Sequence, residues 1–178
     1  MGIVGSVRGF AHTHRLPHRA FSIPRLPVFA FGIAIVSMLV AGCASPPKPT
    51  EITGSVQASA SINPSVSRRP SPLLVRVYEL KSTTAFNSAD FVSLYQRDQA
   101  ELGAEMIGRE EFTLNPGDSR TFVKTASAET RHLGVVAAYR DVDRARWRAV
   151  VPIVAGQKQR VVISAEELTI TATATVQK

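Results

Sequence analysis

Val40-Ala41-Gly42-Cys43 is the stretch of this 178-residue chain whose side chains and spacing fit a defined chemistry. A peptidase working at a membrane face needs small side chains beside its cut, which Ala41 and Gly42 supply. The thiol left at the new N-terminus can carry a thioether-linked diacylglyceryl group. Cys43 is the only cysteine, so this modification would leave no thiol for an internal disulfide, and the fold must rest on its core. Other reactive groupings are thin. Three of the four histidines precede Cys43, which leaves His132 as the one imidazole after it and effectively excludes zinc clusters and His-based triads. Asp141 and Asp143 are spaced as an acid and base could be, but no nucleophile, histidine or metal cluster accompanies them. Neither GxSxG nor HExxH occurs. The pair therefore reads as turn-stabilising, through side chains that accept local backbone N–H bonds. Glu110-Glu111 reads as the solvated start of a strand and His132 as structural. No enzymatic activity, metal or cofactor is expected.

The four residues ending at Cys43 resemble a bacterial lipobox. Upstream, Arg8, Arg15, Arg19 and Arg25 form a positive segment without an acid, and residues 26–42 then run uncharged, the layout of a signal peptide. A transmembrane anchor is the alternative, since such a run sits at the lower limit of about 17 to 25 residues for a spanning helix. Pro27 and Gly32 weaken that alternative, and a plain anchor has no need of a small-small-Cys ending. Residues 1–42 are thus expected to be a lipoprotein signal peptide, 43–50 a lipidated Pro-rich linker, and 51–178 the folded domain. At about 0.8 kcal/mol per buried CH₂, one acyl chain holds a protein reversibly, whereas two or three make release negligible.

Charge follows the same division. The whole chain carries +7, with 21 basic and 14 acidic residues. Four of the basic residues and none of the acids precede Cys43, so the remainder carries only about +3 and nucleic-acid binding loses its support.

The elements after the linker read mainly as strands. From Ile52 to Ile62 apolar or small residues alternate with polar ones, which predicts a half-buried strand, and Asn63 to Pro72 breaks the pattern with three prolines and Arg68-Arg69. Leu73 to Leu80 resumes as a strand. Ser88 is a plausible helix N-cap, with Phe91, Leu94 and Tyr95 on one stripe; Asp98 with Glu101 resembles a second capping box, ended by Gly103. Glu111–Leu114 and Arg120–Lys124 flank Asn115-Pro116-Gly117-Asp118, which predicts a β-hairpin. Leu133–Tyr139 reads as a central strand covered on both faces. Strands at Trp147–Val154, Arg160–Ser164 and Leu168–Val176 complete an all-β, antiparallel β-sandwich of seven or eight strands with a small helical insertion. Tyr78, Phe91, Phe112 and Val135 are the expected core.

Two stretches in this order, VRVYELKSTTAFNSADFVSLYQRDQAELGAEMIGREEFTLNPGDSR and GVVAAYRDVDRARWRAVVP, resemble the TssJ family, outer-membrane lipoproteins of the bacterial type VI secretion system. The resemblance runs from about Ile52 to the C-terminus. It implies a transthyretin-like sandwich, no catalysis, and an anchoring role in the trans-envelope complex through the periplasmic C-terminal part of the inner-membrane protein TssM. In that family the loop joining the first two strands contributes to the contact. Here that loop is Asn63 to Pro72, and the expected partner-binding residues are Asn63, Pro64, Ser65, Val66, Ser67, Arg68, Arg69 and Pro70. Ala44 follows the cysteine; an Asp there would favour inner-membrane retention, so its absence implies an outer-membrane location facing the periplasm.

Alternatives remain on residues alone. Arg68-Arg69 fits a solubilising role as well as a contact. Trp147, between Arg146 and Arg148, fits an interface hot spot or, with the arginines facing water, a ring packed into the sandwich. A solute- or glycan-binding lipoprotein would use the same fold, but it wants an exposed aromatic cleft, and one Trp and three Tyr supply little material for it.

Overall fold

The computed structural model describes residues 48–177. Its first strand, β1 (Thr50–Ala58), alternates between the core and the outside at every position. It ends short of the expected Ile62. Ser59 Oγ accepts the Ser61 N–H at 3.2 Å, and Ile62 drops fully buried into the core. Short hydroxyl side chains offer the backbone such local partners in place of a ladder, so the polar-apolar alternation outlasted the strand.

After it come β2 (Leu73–Leu80), α1 (Thr84–Ser88), α2 (Phe91–Leu102), a 3₁₀ turn (Gly103–Glu105), β3 (Met106–Leu114) and β4 (Ser119–Ala126). The chain closes with β5 (His132–Ala137), β6 (Arg148–Pro152), β7 (Lys158–Ala165) and β8 (Ile170–Val176). Two four-stranded sheets, ordered β4-β1-β7-β8 and β3-β2-β5-β6, form a sandwich. Pairing is antiparallel except between β1 and β7. That parallel pair is separated in sequence by the whole of the second sheet, as a parallel neighbour's crossover requires.

Turn chemistry at residues 115–118 is as expected: Gly117 sits at φ 80° and the Asp118 N–H donates to the Asn115 carbonyl at 3.0 Å. The hairpin is not formed. β3 pairs with β2 and β4 with β1, so the turn carries the chain from one sheet to the other. Crossing the gap lets Phe112 and Phe122 both pack against the inter-sheet core. A turn fixes a reversal; burial decides which strands then pair.

Ile52, Val56, Val75, Val77, Val135, Val161 and Ile163 fill the space between the sheets. The opposite face of β2 and β5 carries a second core, in which Tyr78, Leu80 and Val136 meet Phe86, Leu94 and Leu102 of the helical insertion. β5 is therefore covered on both sides, in keeping with its nearly continuous apolar run. Gly134 matters here, since a Cβ at that position would come within 2.9 Å of Leu80 and Phe86.

The cap of α2 differs from expectation. Asp90, not Ser88, accepts the Ser93 N–H at 2.9 Å, while the Ser88 hydroxyl donates back to the Thr84 carbonyl within α1. Tyr95 is 39% exposed, so the buried stripe is narrower than the sequence implied. α2 breaks at Arg97 (φ −139°), which turns Asp98 inward. Asp98 bonds the Gln99 N–H at 2.8 Å, but it also accepts from the Tyr78 hydroxyl at 3.0 Å and from Arg109, tying the insertion to the sheet. Burial opposes the charge on Asp98, but the Arg109 and Tyr78 hydrogen bonds outweigh it and hold the carboxyl below the usual range. Burial also pushes the Tyr78 hydroxyl up to about 12.

Of the expected core, Tyr78 and Val135 are fully buried, whereas Phe91 and Phe112 are half-buried. Among the described residues the fully buried phenylalanine is instead Phe86, in the second core, with its ring 5.8 Å from Tyr78 in an edge-on contact. Phe86→Ala should cost about 3 to 5 kcal/mol, and Phe112→Ala less. Urea denaturation checks this; equal losses in the two variants would contradict the packing described.

Candidate functional site

Strand direction sorts the loops. Because β1 and β7 run together, and Leu73 lies opposite Leu114 and Val75 opposite Ala137, four connections gather at one end of the sandwich. They are residues 59–72, 115–118, 138–147 and 166–169. Thr50, where the linker joins β1, is at the other end. At about 3.3 Å per residue along β1, the two ends are roughly 26 Å apart.

The 59–72 loop is built around Asn63. This residue is 3% exposed and takes φ 47°, a conformation Asn tolerates because its short polar side chain bonds locally. Its Nδ2 donates to the Pro72 carbonyl at 2.7 Å, and its Oδ1 accepts the Arg140 N–H at 2.8 Å. Its own N–H donates to the Glu167 carbonyl at 3.0 Å, and its carbonyl accepts the Ser71 hydroxyl. One buried asparagine, through its side chain and its backbone, therefore joins three loops. Asn63 positions the candidate surface and its side chain does not reach solvent.

Beyond that clamp the tip closes on itself. The Ser65 N–H donates to the Arg69 carbonyl at 2.8 Å, the Arg68 N–H to the Ser65 carbonyl at 2.8 Å, and the Arg69 N–H to Ser65 Oγ at 3.2 Å. Ser67 Oγ lies 3.0 Å from Ser65 Oγ. Pro64 and Ser65 are half-buried, while Val66, Ser67, Arg68, Arg69 and Pro70 are exposed. Val66 protrudes fully, at 108% relative exposure. Among the described residues, neither Arg68 nor Arg69 has a carboxylate within ion-pairing distance. An aliphatic knob and two free guanidiniums thus stand on a short, hydrogen-bonded backbone.

An open groove of about 760 Å³ runs beside the tip, between it and the 138–147 and 166–169 loops. Arg68, Arg140 and Arg144 line it, with Asp141 and Glu167, and Val66 and Leu168 supply its apolar part. Sequence reasoning passed over Arg140 and Arg144, because only the fold shows that their turn lies against residues 64–68.

The remaining candidates resolve structurally. Asp141 does stabilise its turn, but through its carbonyl, which accepts from the Arg144 and Ala145 N–H groups; its carboxylate lies 3.4 Å from Arg144. Asp143 is exposed. Glu110 and Glu111 lie inside β3, not at its start, where they pair with Lys124 and Arg76, each at 2.6 Å. Burial disfavours the charge on Lys124, but Glu110 and Glu79 outweigh it and raise the ammonium above its ordinary value. His132 is half-buried at the start of β5 and its Nδ1 has no hydrogen-bond partner. Trp147 is half-buried and packs against both cores, edge-on to Phe91 at 5.3 Å. Arg148 does not simply face water: its guanidinium lies over Trp147 and donates to the Phe86 and Ala89 carbonyls, tying β6 to the insertion. Cys43 and the stretch before it lie outside the described residues.

Comparison with known proteins gives these features a context. A family model described as type VI secretion lipoprotein, VasD, EvfM, TssJ matches residues 50–168. The T6SS lipoprotein TssJ1 from Pseudomonas aeruginosa is 37% identical; the match covers 75% of this chain and 100% of that one, with a TM-score of 0.70. Lip from Serratia marcescens, a membrane-bound component of the type VI secretion system, shares the fold at 24% identity and TM-score 0.65, over 72% of this chain and 99% of that one. A chain in a structure of the T6SS protein TssM C-terminal domain (869–1107) from EAEC matches at 25% identity and TM-score 0.57, over 68% of this chain and 99% of that one. No curated protein matches the chain. With most of the folded domain inside the family model and the sandwich shared with TssJ1, this chain belongs to the TssJ family of type VI secretion lipoproteins.

Proposed function

We propose that this protein is the outer-membrane anchor of a type VI trans-envelope complex, lipidated at Cys43 and holding the periplasmic C-terminal part of a TssM-like inner-membrane protein through residues 63–70. The family is a structural component of the secretion system and not an enzyme family. One observation carries the reading: the self-bonded loop tip lies at the end of the sandwich opposite Thr50, where a linker from a lipidated Cys43 would join. An anchor at one end and a pre-ordered contact loop at the other is what a tether between two membranes requires. Ordering such a loop on contact costs less than ordering a flexible one.

The match within the TssM structure supports the choice of partner. The glycan-binding alternative wants an exposed aromatic cleft; no aromatic ring lines the groove beside the loop, and the open pocket that Phe91 and Trp147 do line lies beside the helical insertion.

Free guanidiniums at the tip imply that charge contributes. Arg68→Glu combined with Arg69→Glu should weaken association with the TssM-like periplasmic domain, and the wild-type interaction should itself weaken as salt rises. Titration of the detergent-solubilised lipoprotein at several salt concentrations checks this. Salt-independent binding, unchanged by the double reversal, would remove the arginines from the contact.

A further inference from the structure

We infer that the groove beside the loop tip is a second part of the same contact, a seat for carboxylate side chains of an extended acidic segment of the TssM-like partner, with Arg140 as its principal grip. This rests on the proposed partner but extends the contact from the loop tip onto the 138–147 and 166–169 loops. The groove's walls come from three separate connections, and Arg140 and Arg68 both line it.

Charge decides the chemistry of the occupant. Asp141 already faces Arg144 at 3.4 Å, so that pair is largely self-satisfied. Among the described residues, Arg68 and Arg140 have no carboxylate within ion-pairing distance, and of the acids lining the groove only Glu167 remains to oppose them. Two free guanidiniums lining one groove can each hold a carboxylate through paired N–H bonds, whereas a basic segment would meet them with repulsion. Val66 and Leu168 give the methylenes of such a segment an apolar surface to lie against.

Geometry decides against a membrane headgroup as that carboxylate's or phosphate's source. The groove lies at the end of the sandwich away from Thr50, with the length of β1 between. It is also held in shape before any partner arrives. The Arg140 N–H is bonded to Asn63 Oδ1, which fixes the base of that arginine relative to the tip while leaving its guanidinium free. Substituting the side chain at 140 leaves that backbone bond intact, so the grip can be tested without dismantling the loop.

The test is calorimetric titration of the lipidated protein in detergent with the purified periplasmic domain of the TssM-like protein. Arg140→Glu should weaken binding by about tenfold or more and flatten its salt dependence. Arg140→Gln should give a smaller loss and Arg140→Lys the smallest. As a control, reversal of Arg160 on β7, an exposed residue away from this end, should leave affinity unchanged. Wild-type affinity in Arg140→Glu, together with lost binding on removal of Ser65–Arg69, would overturn the groove and leave the proposed function standing. Wild-type affinity in both would overturn both. Equal losses in Arg140→Glu, Arg140→Gln and Arg140→Lys would show that the position matters for shape alone, which also overturns the charge-based seat.

Discussion

Replacing Cys43 by Ser should abolish lipid attachment and leave the chain uncleaved at this site, since a hydroxyl does not form the thioether on which processing depends. The size of the effect follows from the chain count. With about 0.8 kcal/mol for each buried CH₂, two or three acyl chains hold a protein essentially permanently, and losing all of them removes the whole of that affinity. No helix among the described residues is long and apolar enough to cross a membrane. Labelled palmitate should therefore enter the wild-type protein and not Cys43→Ser; label in the variant would contradict lipidation at this residue. Ala44→Asp supplies the complementary test of location. It should move the protein into inner-membrane fractions, and unchanged sorting would count against an outer-membrane site.

Much of the sandwich could be read from period-two alternation, because strands with one wet face and one dry face write their burial directly into sequence. Thr50–Ala58 and Ile170–Val176 are of that kind. What could not be read was partnership. The Asn115–Asp118 residues specify a reversal equally well in a hairpin or in a crossing between sheets, and only the packing of Phe112 and Phe122 on the inter-sheet core separates the two. Ser88 and Asp90 are both capping residue types. The structure chooses Asp90 because Ala89 is extended (φ −68°, ψ 143°) and breaks the helix between them.

The site divides in the same way. A proline-limited loop with two arginines is visible in sequence, but the clamp that shapes it is not, since Asn63 reaches an N–H group 77 residues away. Asn63 is buried and shapes the surface that the exposed residues of the tip present. Arg140 escaped notice for the same reason: nothing local to it points to residues 64–68.

Removing Ser65–Arg69 should produce the largest loss of partner binding that a folded variant can show. The deletion takes away Val66, the most protruding apolar side chain, together with both free guanidiniums of the tip. It spares the supports. Asn63 keeps its bonds to Pro72, Arg140 and Glu167, and Ile62 stays in the core, so the sandwich loses none of its buried apolar contacts. Circular dichroism and urea midpoints close to wild type should confirm that the variant is folded. The most direct measurement is then calorimetric titration of lipidated wild-type and Ser65–Arg69-deleted protein, both in detergent, with the TssM-like periplasmic domain. Saturable binding by the wild type and little or none by the folded deletion variant is the predicted result; equal affinity in the two would contradict a tether that grips its partner through this loop.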